Sequence, residues 1–137
     1  MQPMQRTAER MKTPYNKIVY FYSLIKQYMP KIYHLSSCST CSKIIKQAEE
    51  AGISFEKQDI KAEAITPEQL DEMKKLAGSY EELFSRRSQK FRPMGLHEKQ
   101  LTENDYRDLI LQEYTFLKRP VVVDGAKIFV GNSAKVV

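Results

Sequence analysis

A pair of cysteines between a predicted strand and a predicted helix is the feature that most constrains the fold of this chain. The segment "HLSSCSTC", residues 34–41, holds both cysteines of the 137-residue sequence. It overlaps the compact apolar run "KIYHL", which is typical of a buried strand, and leads into "STCSKIIKQAEEAG", whose apolar residues recur with helical spacing before Gly52. Cys38 is therefore predicted at the N-terminus of a helix, with Cys41 one turn further on.

The remaining patterns complete an α/β domain. Residues 53–60 predict a second strand, parallel to the first through the intervening helix. Two capping signals predict further helices after Thr66 and Thr102, with a short helical turn at 80–84 between them. The dipeptide at 124–125, Asp-Gly, predicts a β-hairpin within "RPVVVDGAKIFVG". We predict a mixed sheet with helices on both faces and a helical insertion between the second and third strands.

The chain has the length of one domain, preceded by a basic segment. Residues 1–30 carry a net charge of +4 out of a total of +5, so residues 31–137 are close to neutral. We interpret 1–30 as an extension that is either disordered or a packed helix, and 31–137 as the folded domain. A signal peptide, or a true start at Met29, are the alternatives for the basic segment. The "NSAKVV" at the end leaves room for a terminal helix.

Charge and hydropathy exclude two classes of function. A nearly neutral domain does not favour direct binding of DNA. No apolar run approaches the roughly 18 residues that a membrane span requires. We expect a soluble monomer, and the use of both cysteines in one short motif indicates a reducing cytoplasm.

The spacing of the cysteines favours redox chemistry over the other uses of thiols. A helix N-terminus stabilises a thiolate, so Cys38 is predicted to be the attacking thiol and Cys41, which we expect to be more buried, the resolving one. A structural zinc site would need four ligands, and only His34 and His97 remain to complete it, without the usual paired spacing, so we expect no metal. A structural disulfide closing so short a loop would constrain little of the unfolded chain.

Hydroxyl side chains around the cysteine suggest an anion site. Backbone N–H groups at a helix start bind anions readily, and the flanking residues Ser37, Ser39 and Thr40 would add hydroxyl donors. The alternative is that these residues, with Ser36, only cap the helix and form the turn.

At this point three segments carry a family resemblance. The stretches "KIYHLSSCSTC", "LFSRRSQKF" and "LKRPVVVDGAKIFVG" resemble the glutaredoxin-type arsenate reductase (ArsC) family, which includes Spx-type transcriptional regulators and reductase-like relatives. The resemblance runs from about Lys31 to Gly131. It implies a thioredoxin-like, glutaredoxin-like domain with a four-stranded mixed sheet and a helical insertion.

The resemblance also implies roles for individual residues. Cys38 matches the nucleophile, His34 the histidine that helps to keep the thiolate, and Arg119 an arginine that binds the oxyanion. Pro120 matches the proline that faces the active site, usually after a cis peptide bond. A second oxyanion-binding arginine matches Arg87 or its neighbour Arg86.

Two departures separate this chain from dedicated arsenate reductases. Gly131 stands near the place of a third arginine, and Cys41 stands where those enzymes generally have serine or another residue.

Two residues or segments that match the family also have simpler explanations. The alternative for the basic stretch 86–92 is a solvated loop. Gly78 lies near a glycine through which Spx-type regulators contact RNA polymerase, although a helix C-cap explains it equally well.

Two functions follow as hypotheses. The first is an arsenate reductase-like thiol–disulfide oxidoreductase, in which Cys38 attacks an oxyanion or disulfide and Cys41 resolves the adduct. It would bind no cofactor and would be reduced by glutathione, glutaredoxin or thioredoxin. The alternative is a Spx-like redox-sensing regulator that binds RNA polymerase.

Overall fold

A mixed four-stranded sheet forms the centre of the domain. A computed structural model of the chain describes residues 17–19 and 29–131. Strand β1 (Lys31–His34) pairs in parallel with β2 (Glu56–Asp59) and antiparallel with β3 (Val121–Asp124), which pairs antiparallel with β4 (Lys127–Val130). The strand order is therefore β2-β1-β3-β4, and the prediction of a mixed sheet is confirmed.

Three α-helices connect the strands. Helix α1 (Ser39–Glu50) joins the parallel strands β1 and β2, while α2 (Pro67–Ala77) and α3 (Glu103–Gln112) lie in the insertion between β2 and β3. Three 3₁₀ turns complete the insertion and its exit: Glu81–Leu83, Leu96–Glu98 and Tyr114–Phe116. The predicted insertion between the second and third strands is confirmed.

The predicted second strand was too long at its start. Strand β2 begins at Glu56, whose N–H donates to the carbonyl of Pro30 at 2.9 Å, rather than at Ile53. The N–H of Ile53 instead donates to the Ala48 carbonyl at 2.8 Å, so it closes the end of α1. The alternating pattern extended into this connection, where Ile53 is 46% exposed.

The two faces of the sheet are covered separately, because successive residues of a strand point to opposite sides. Ile32 and Val122 pack with Ile44 of α1 on one face. Tyr33 and Val121 belong to a larger cluster on the other face, which the insertion supplies with Phe84, Phe116, Leu70, Met73 and Ile110. The insertion thus supplies most of the larger cluster, which also includes residues of the sheet.

A short antiparallel ladder joins the insertion to the segment that leads into β3. Phe84 forms an isolated bridge with Leu117, the N–H of Ser85 donates to the Phe116 carbonyl at 2.7 Å, and the N–H of Lys118 donates to the Leu83 carbonyl at 2.9 Å. Two basic dipeptides that are about thirty positions apart in the sequence, 86–87 and 118–119, each follow one strand of this ladder.

Both ends of the chain lie largely outside the described residues. The interpretation of 1–30 as a disordered or packed extension is not covered apart from 17–19 and 29–30, and the terminal helix expected in "NSAKVV" is not covered at all. Within the described part of the chain, no helix combines the length and hydropathy that a membrane span needs.

Candidate functional site

Cys38 occupies the N-cap position of α1. The turn at Ser36 and Ser37 separates it from β1, and its N–H donates to the Leu35 carbonyl at 2.9 Å. Its backbone is extended, with φ −88° and ψ 114°, and its carbonyl accepts from the Ser42 N–H at 3.1 Å as the first turn of the helix closes. The first turn contains no acidic residue. The helix therefore begins with a thiol and leaves its positive end without a carboxylate.

The surroundings of Cys38 favour its thiolate. Partial burial favours the neutral thiol, but the N–H and thiol of Cys41, the positive charge of Arg119 and the N–H of Thr40 outweigh it, so the pKa of Cys38 is lowered. The sulfur forms no capping hydrogen bond of normal geometry. The stabilisation by the N–H groups is thus largely that of aligned dipoles at the helix start.

Cys41 has the opposite properties one turn away. Its side chain is fully buried, and burial is the main reason that its pKa is raised to about 12. A hydrogen bond from the Leu35 main chain lowers this pKa, whereas the hydrogen bond and the negative charge of Cys38 raise it. Both cysteines are present as free thiols. The sequence predicted that Cys41 would be the more buried of the two cysteines, and the structure agrees.

Cys38 lines a positively charged cleft with a volume of about 700 Å³. The cleft is lined by Phe84, Ser85, Val130, Gly131 and four cationic residues: Arg86, Arg87, Lys118 and Arg119. None of these lining residues carries a carboxylate. The ladder between the insertion and the segment before β3 explains this concentration of charge, because it places both basic dipeptides beside the helix start.

The two neighbouring arginines of the insertion differ in how they are held. The guanidinium of Arg86 donates to the Tyr106 hydroxyl at 2.7 Å, lies 5.6 Å from the centre of that ring and pairs with Glu81 at 3.6 Å. The side chain of Arg87 forms no ion pair or hydrogen bond with the residues that the structure describes. Of these two neighbours, Arg87 is therefore the one whose guanidinium is free of partners among the described residues.

Arg119 faces Cys38 from the segment that precedes β3. Its positive charge contributes to the lowered pKa of Cys38, and the peptide bond to the buried Pro120 is cis, as the resemblance implied. Arg87 and Arg119 also line a neighbouring recess of about 480 Å³, where Lys90 pairs with Glu113 at 3.1 Å. The two arginines thus stand between the cysteine cleft and a second, mixed-charge recess.

His34 ends β1 and is paired in register with Asp59 of β2. It does not line the cleft, and the interactions that set the pKa of Cys38 come chiefly from Cys41, Arg119 and Thr40. The role of His34 in keeping the thiolate remains a prediction.

The four hydroxyl residues around Cys38 differ in their contacts. Ser36 hydrogen-bonds to Asp59 and helps to lower the pKa of that carboxyl, so it serves the turn. Ser37 and Ser39 are exposed, and the N–H of Thr40 acts on Cys38. Anion binding by Ser37, Ser39 and Thr40 remains a prediction.

Lys118 is the charged residue of the cleft that the sequence interpretation did not single out. The available signal was its position directly before Arg119 and Pro120. Gly131, with φ +73°, lies beneath it, since a Cβ at Gly131 would contact the Cβ and Cδ of Lys118 at 4.0 Å. Among the described residues, no group of three or more His, Cys, Asp or Glu side chains is arranged to hold a metal.

The four-stranded mixed sheet, with a cysteine pair at the start of the helix that follows its first strand, defines a thioredoxin-like domain. The sequence matches the ArsC family over residues 33–137, and the chain belongs to that family. This confirms the family and fold that the resemblance implied.

Relatives in the family include regulators and reductase-like proteins. The chain is 28% identical over 100 residues to the regulatory protein MgsR of Bacillus subtilis, covering 72% of this chain and 79% of that protein. It is 26% identical to the global transcriptional regulator Spx 2 of Bacillus anthracis over 104 residues, 75% of this chain and 79% of the relative. The solved structure of an arsenate reductase (ArsC) related protein from Brucella melitensis is 28% identical, has a TM-score of 0.63 and covers 78% of this chain and 89% of its own.

Proposed function

We propose that the protein is a thiol–disulfide oxidoreductase of the cytoplasm, in which Cys38 is the nucleophile and Cys41 the resolving thiol. The observation that carries this proposal is the opposite shift of the two pKa values: that of Cys38 is lowered and that of Cys41 is raised to about 12. Cys38 therefore forms its thiolate, the attacking species, at lower pH than Cys41 does, and Cys41 stays protonated until a later step.

The reaction takes place in two steps. The Cys38 thiolate attacks one sulfur of a substrate disulfide, forms a mixed disulfide and releases the other sulfur as a thiolate. Cys41 then loses its proton and attacks the Cys38 sulfur, which releases the remaining substrate thiolate and leaves a Cys38–Cys41 disulfide. With arsenate, Cys38 displaces one oxygen as water, and attack by Cys41 leaves the bonding electrons on arsenic, which becomes arsenite. Thioredoxin, glutaredoxin or glutathione returns the two electrons.

The site itself orders these steps. A hydrogen bond to Cys38 and its negative charge both raise the pKa of Cys41, and both effects end once the Cys38 sulfur is in a covalent adduct. Burial, the largest cause, persists. Cys41 thus becomes easier to deprotonate only after Cys38 has reacted. Arg87 and Arg119 would hold the anionic substrate, and both guanidinium groups are free of ion pairs with described residues.

The decisive experiment is the pH dependence of alkylation of each cysteine by iodoacetamide, followed by mass spectrometry. We expect Cys38 to react well below the pH at which a free thiol does, and Cys41 to remain unmodified. The Cys41→Ala variant provides the control: it removes the side-chain hydrogen bond that lowers the pKa of Cys38, so the alkylation profile of Cys38 should move to higher pH. A Cys38 that stays unreactive up to about pH 8 would contradict the nucleophile assignment.

The names of the relatives favour a second candidate, a transcriptional regulator, for which the Spx resemblance implies redox sensing through the cysteine pair and binding to RNA polymerase. MgsR and Spx 2 are both named as regulators. Gly78 does not decide the matter, because its φ of +102° and its N–H bond to the Lys74 carbonyl at 2.8 Å explain a glycine at the helix end. Turnover of arsenate or a disulfide that is lost in Cys38→Ser supports the enzyme. Capture of RNA polymerase without turnover supports the regulator.

A further inference from the structure

The positive charge of the Cys38 cleft includes one side chain without an assigned role. Lys118 lines the cleft together with Arg86, Arg87 and Arg119. Arg119 acts on the pKa of Cys38, and Arg86 is paired with Glu81 and Tyr106. Lys118 has no ion pair with any residue in the described ranges. A partly buried lysine that lines the same cleft as Cys38 is thus left without a counter-charge from the described residues.

The position of Lys118 is fixed by its main chain. Its N–H bond to the Leu83 carbonyl at 2.9 Å anchors it in the ladder between the insertion and the segment before β3. Gly131 leaves the space beneath the Lys118 stem open, and a Cβ there would touch the Lys118 Cβ and Cδ. The backbone at Gly131 is itself held by a bond from its N–H to the Pro120 carbonyl at 2.8 Å. The stem of Lys118 therefore runs beside Gly131, at the wall of the cleft.

We propose that Lys118 is a specificity-determining residue of the cleft, which selects substrates carrying negative charge next to the atom that Cys38 attacks. This rests on the proposed reactivity of Cys38 and adds to it the chemical class of the substrate. The shared chemistry is an anion within reach of an ammonium group: either a small oxyanion or a disulfide with a carboxylate near its sulfur. A cleft lined by four cationic residues and no carboxylate attracts either kind of anion, and added salt weakens this attraction.

The test compares charged and neutral reagents on the same sulfur. For disulfides, the pair is 5,5′-dithiobis(2-nitrobenzoate), which carries a carboxylate on each ring, and the neutral 4,4′-dithiodipyridine. For oxyanions, the measurement is the protection by arsenate of Cys38 against iodoacetamide. The preference is the ratio of the anionic to the neutral rate. Because a partly exposed charge pair contributes up to ~1 kcal/mol, we expect Lys118→Gln to lower this ratio by about two- to fivefold.

Two matched variants isolate the charge of Lys118. Lys118→Arg keeps the charge and should keep the preference. Lys127→Gln removes the same charge from exposed Lys127 of β4, outside the cleft, and should also leave the ratio unchanged. An unchanged ratio in Lys118→Gln, or an equal loss in Lys118→Arg or Lys127→Gln, overturns the proposal.

The two proposals fail in different ways. Slow reaction of the wild-type Cys38 with 4,4′-dithiodipyridine at neutral pH, where that reagent is uncharged, would overturn the nucleophile assignment, whatever the ratio. Fast reaction with the neutral reagent, together with a ratio indifferent to Lys118, would overturn only the role of Lys118. A loss confined to the carboxylate-bearing disulfide, or confined to arsenate protection, identifies which of the two anions the residue recognises.

Discussion

The helices α1 and α2 begin in opposite ways, although each is the first helix after a strand of the same parallel pair, α1 after β1 and α2 after β2. At α2 the Thr66 hydroxyl accepts from the Gln69 N–H at 3.1 Å, and the Gln69 side chain accepts from the Thr66 N–H at 3.1 Å. Pro67 and Glu68 add a preset backbone and a favourable charge to the same turn. At α1 the N-cap residue is Cys38, without a capping hydrogen bond and without an acid in the first turn.

Under the function that we propose, this contrast marks the place where local stability is lower and a reactive thiol stands instead of a capping side chain. A capping side chain satisfies the first N–H groups of a helix and stabilises it by about 1 kcal/mol. At Cys38 those N–H groups and the positive helix end act on a sulfur and on the cleft beside it. A serine or aspartate there would make a better helix start and a poorer nucleophile, which is the usual relation between stability and activity at a functional site.

The substitution Cys38→Asp should produce the largest effect, because it converts the start of α1 into a start like that of α2. We expect redox turnover to be abolished, since no thiol remains outside the core. We also expect the free energy of unfolding to rise by about 1 kcal/mol, since the carboxylate accepts from the first N–H groups and lies near Arg119. Turnover assays and urea denaturation measure the two quantities. Cys38→Ala is the control, inactive but without the gain; a destabilised Cys38→Asp protein would contradict the comparison.

The next effect separates the two arginines that the insertion contributes to the cleft. Arg87→Gln should lower turnover by about tenfold to a hundredfold, because it removes a free guanidinium that would bind the anion in the transition state. Its unfolding free energy should change little. The matched variant Arg86→Gln should lose less activity and up to ~1 kcal/mol of stability, through its contacts with Tyr106 and Glu81. Equal losses of turnover in both variants would show that the pairing of Arg86 with Tyr106 and Glu81 does not distinguish its role from that of Arg87.

The sequence predicted those features that depend on residues close together in the chain. The capping boxes after Thr66 and Thr102, the hairpin at Asp124, and Cys38 at the start of α1 are all determined within a few positions, and the structure contains each of them. The start of β2 was wrong because the alternation of residues 53–55 cannot show that Ile53 bonds back to Ala48.

The site was harder to predict where it depends on distant contacts. Arg86 and Arg87 are adjacent, and only the position of Tyr106, twenty residues later, reveals which of them is already paired. Lys118 enters the cleft because Phe84 and Leu117 form a bridge between segments that are far apart in the sequence. Neither the pairing of Arg86 nor the position of Lys118 can be read from neighbouring residues in the sequence.

The smallest effect returns to the start of α2. Thr66→Ala removes the hydroxyl that accepts from the Gln69 N–H, and it should lower the free energy of unfolding by about 1 kcal/mol. The reactivity of Cys38 should not change, because Thr66 is not among the groups that set its pKa or line its cleft. Urea denaturation and the iodoacetamide profile measure the two quantities. Thr66→Ser, which retains a capping hydroxyl, should restore most of the lost stability. If Thr66→Ala shifted the alkylation profile of Cys38 as well, the two helix starts would be coupled, and the division between a stabilising end and a reactive end would be wrong.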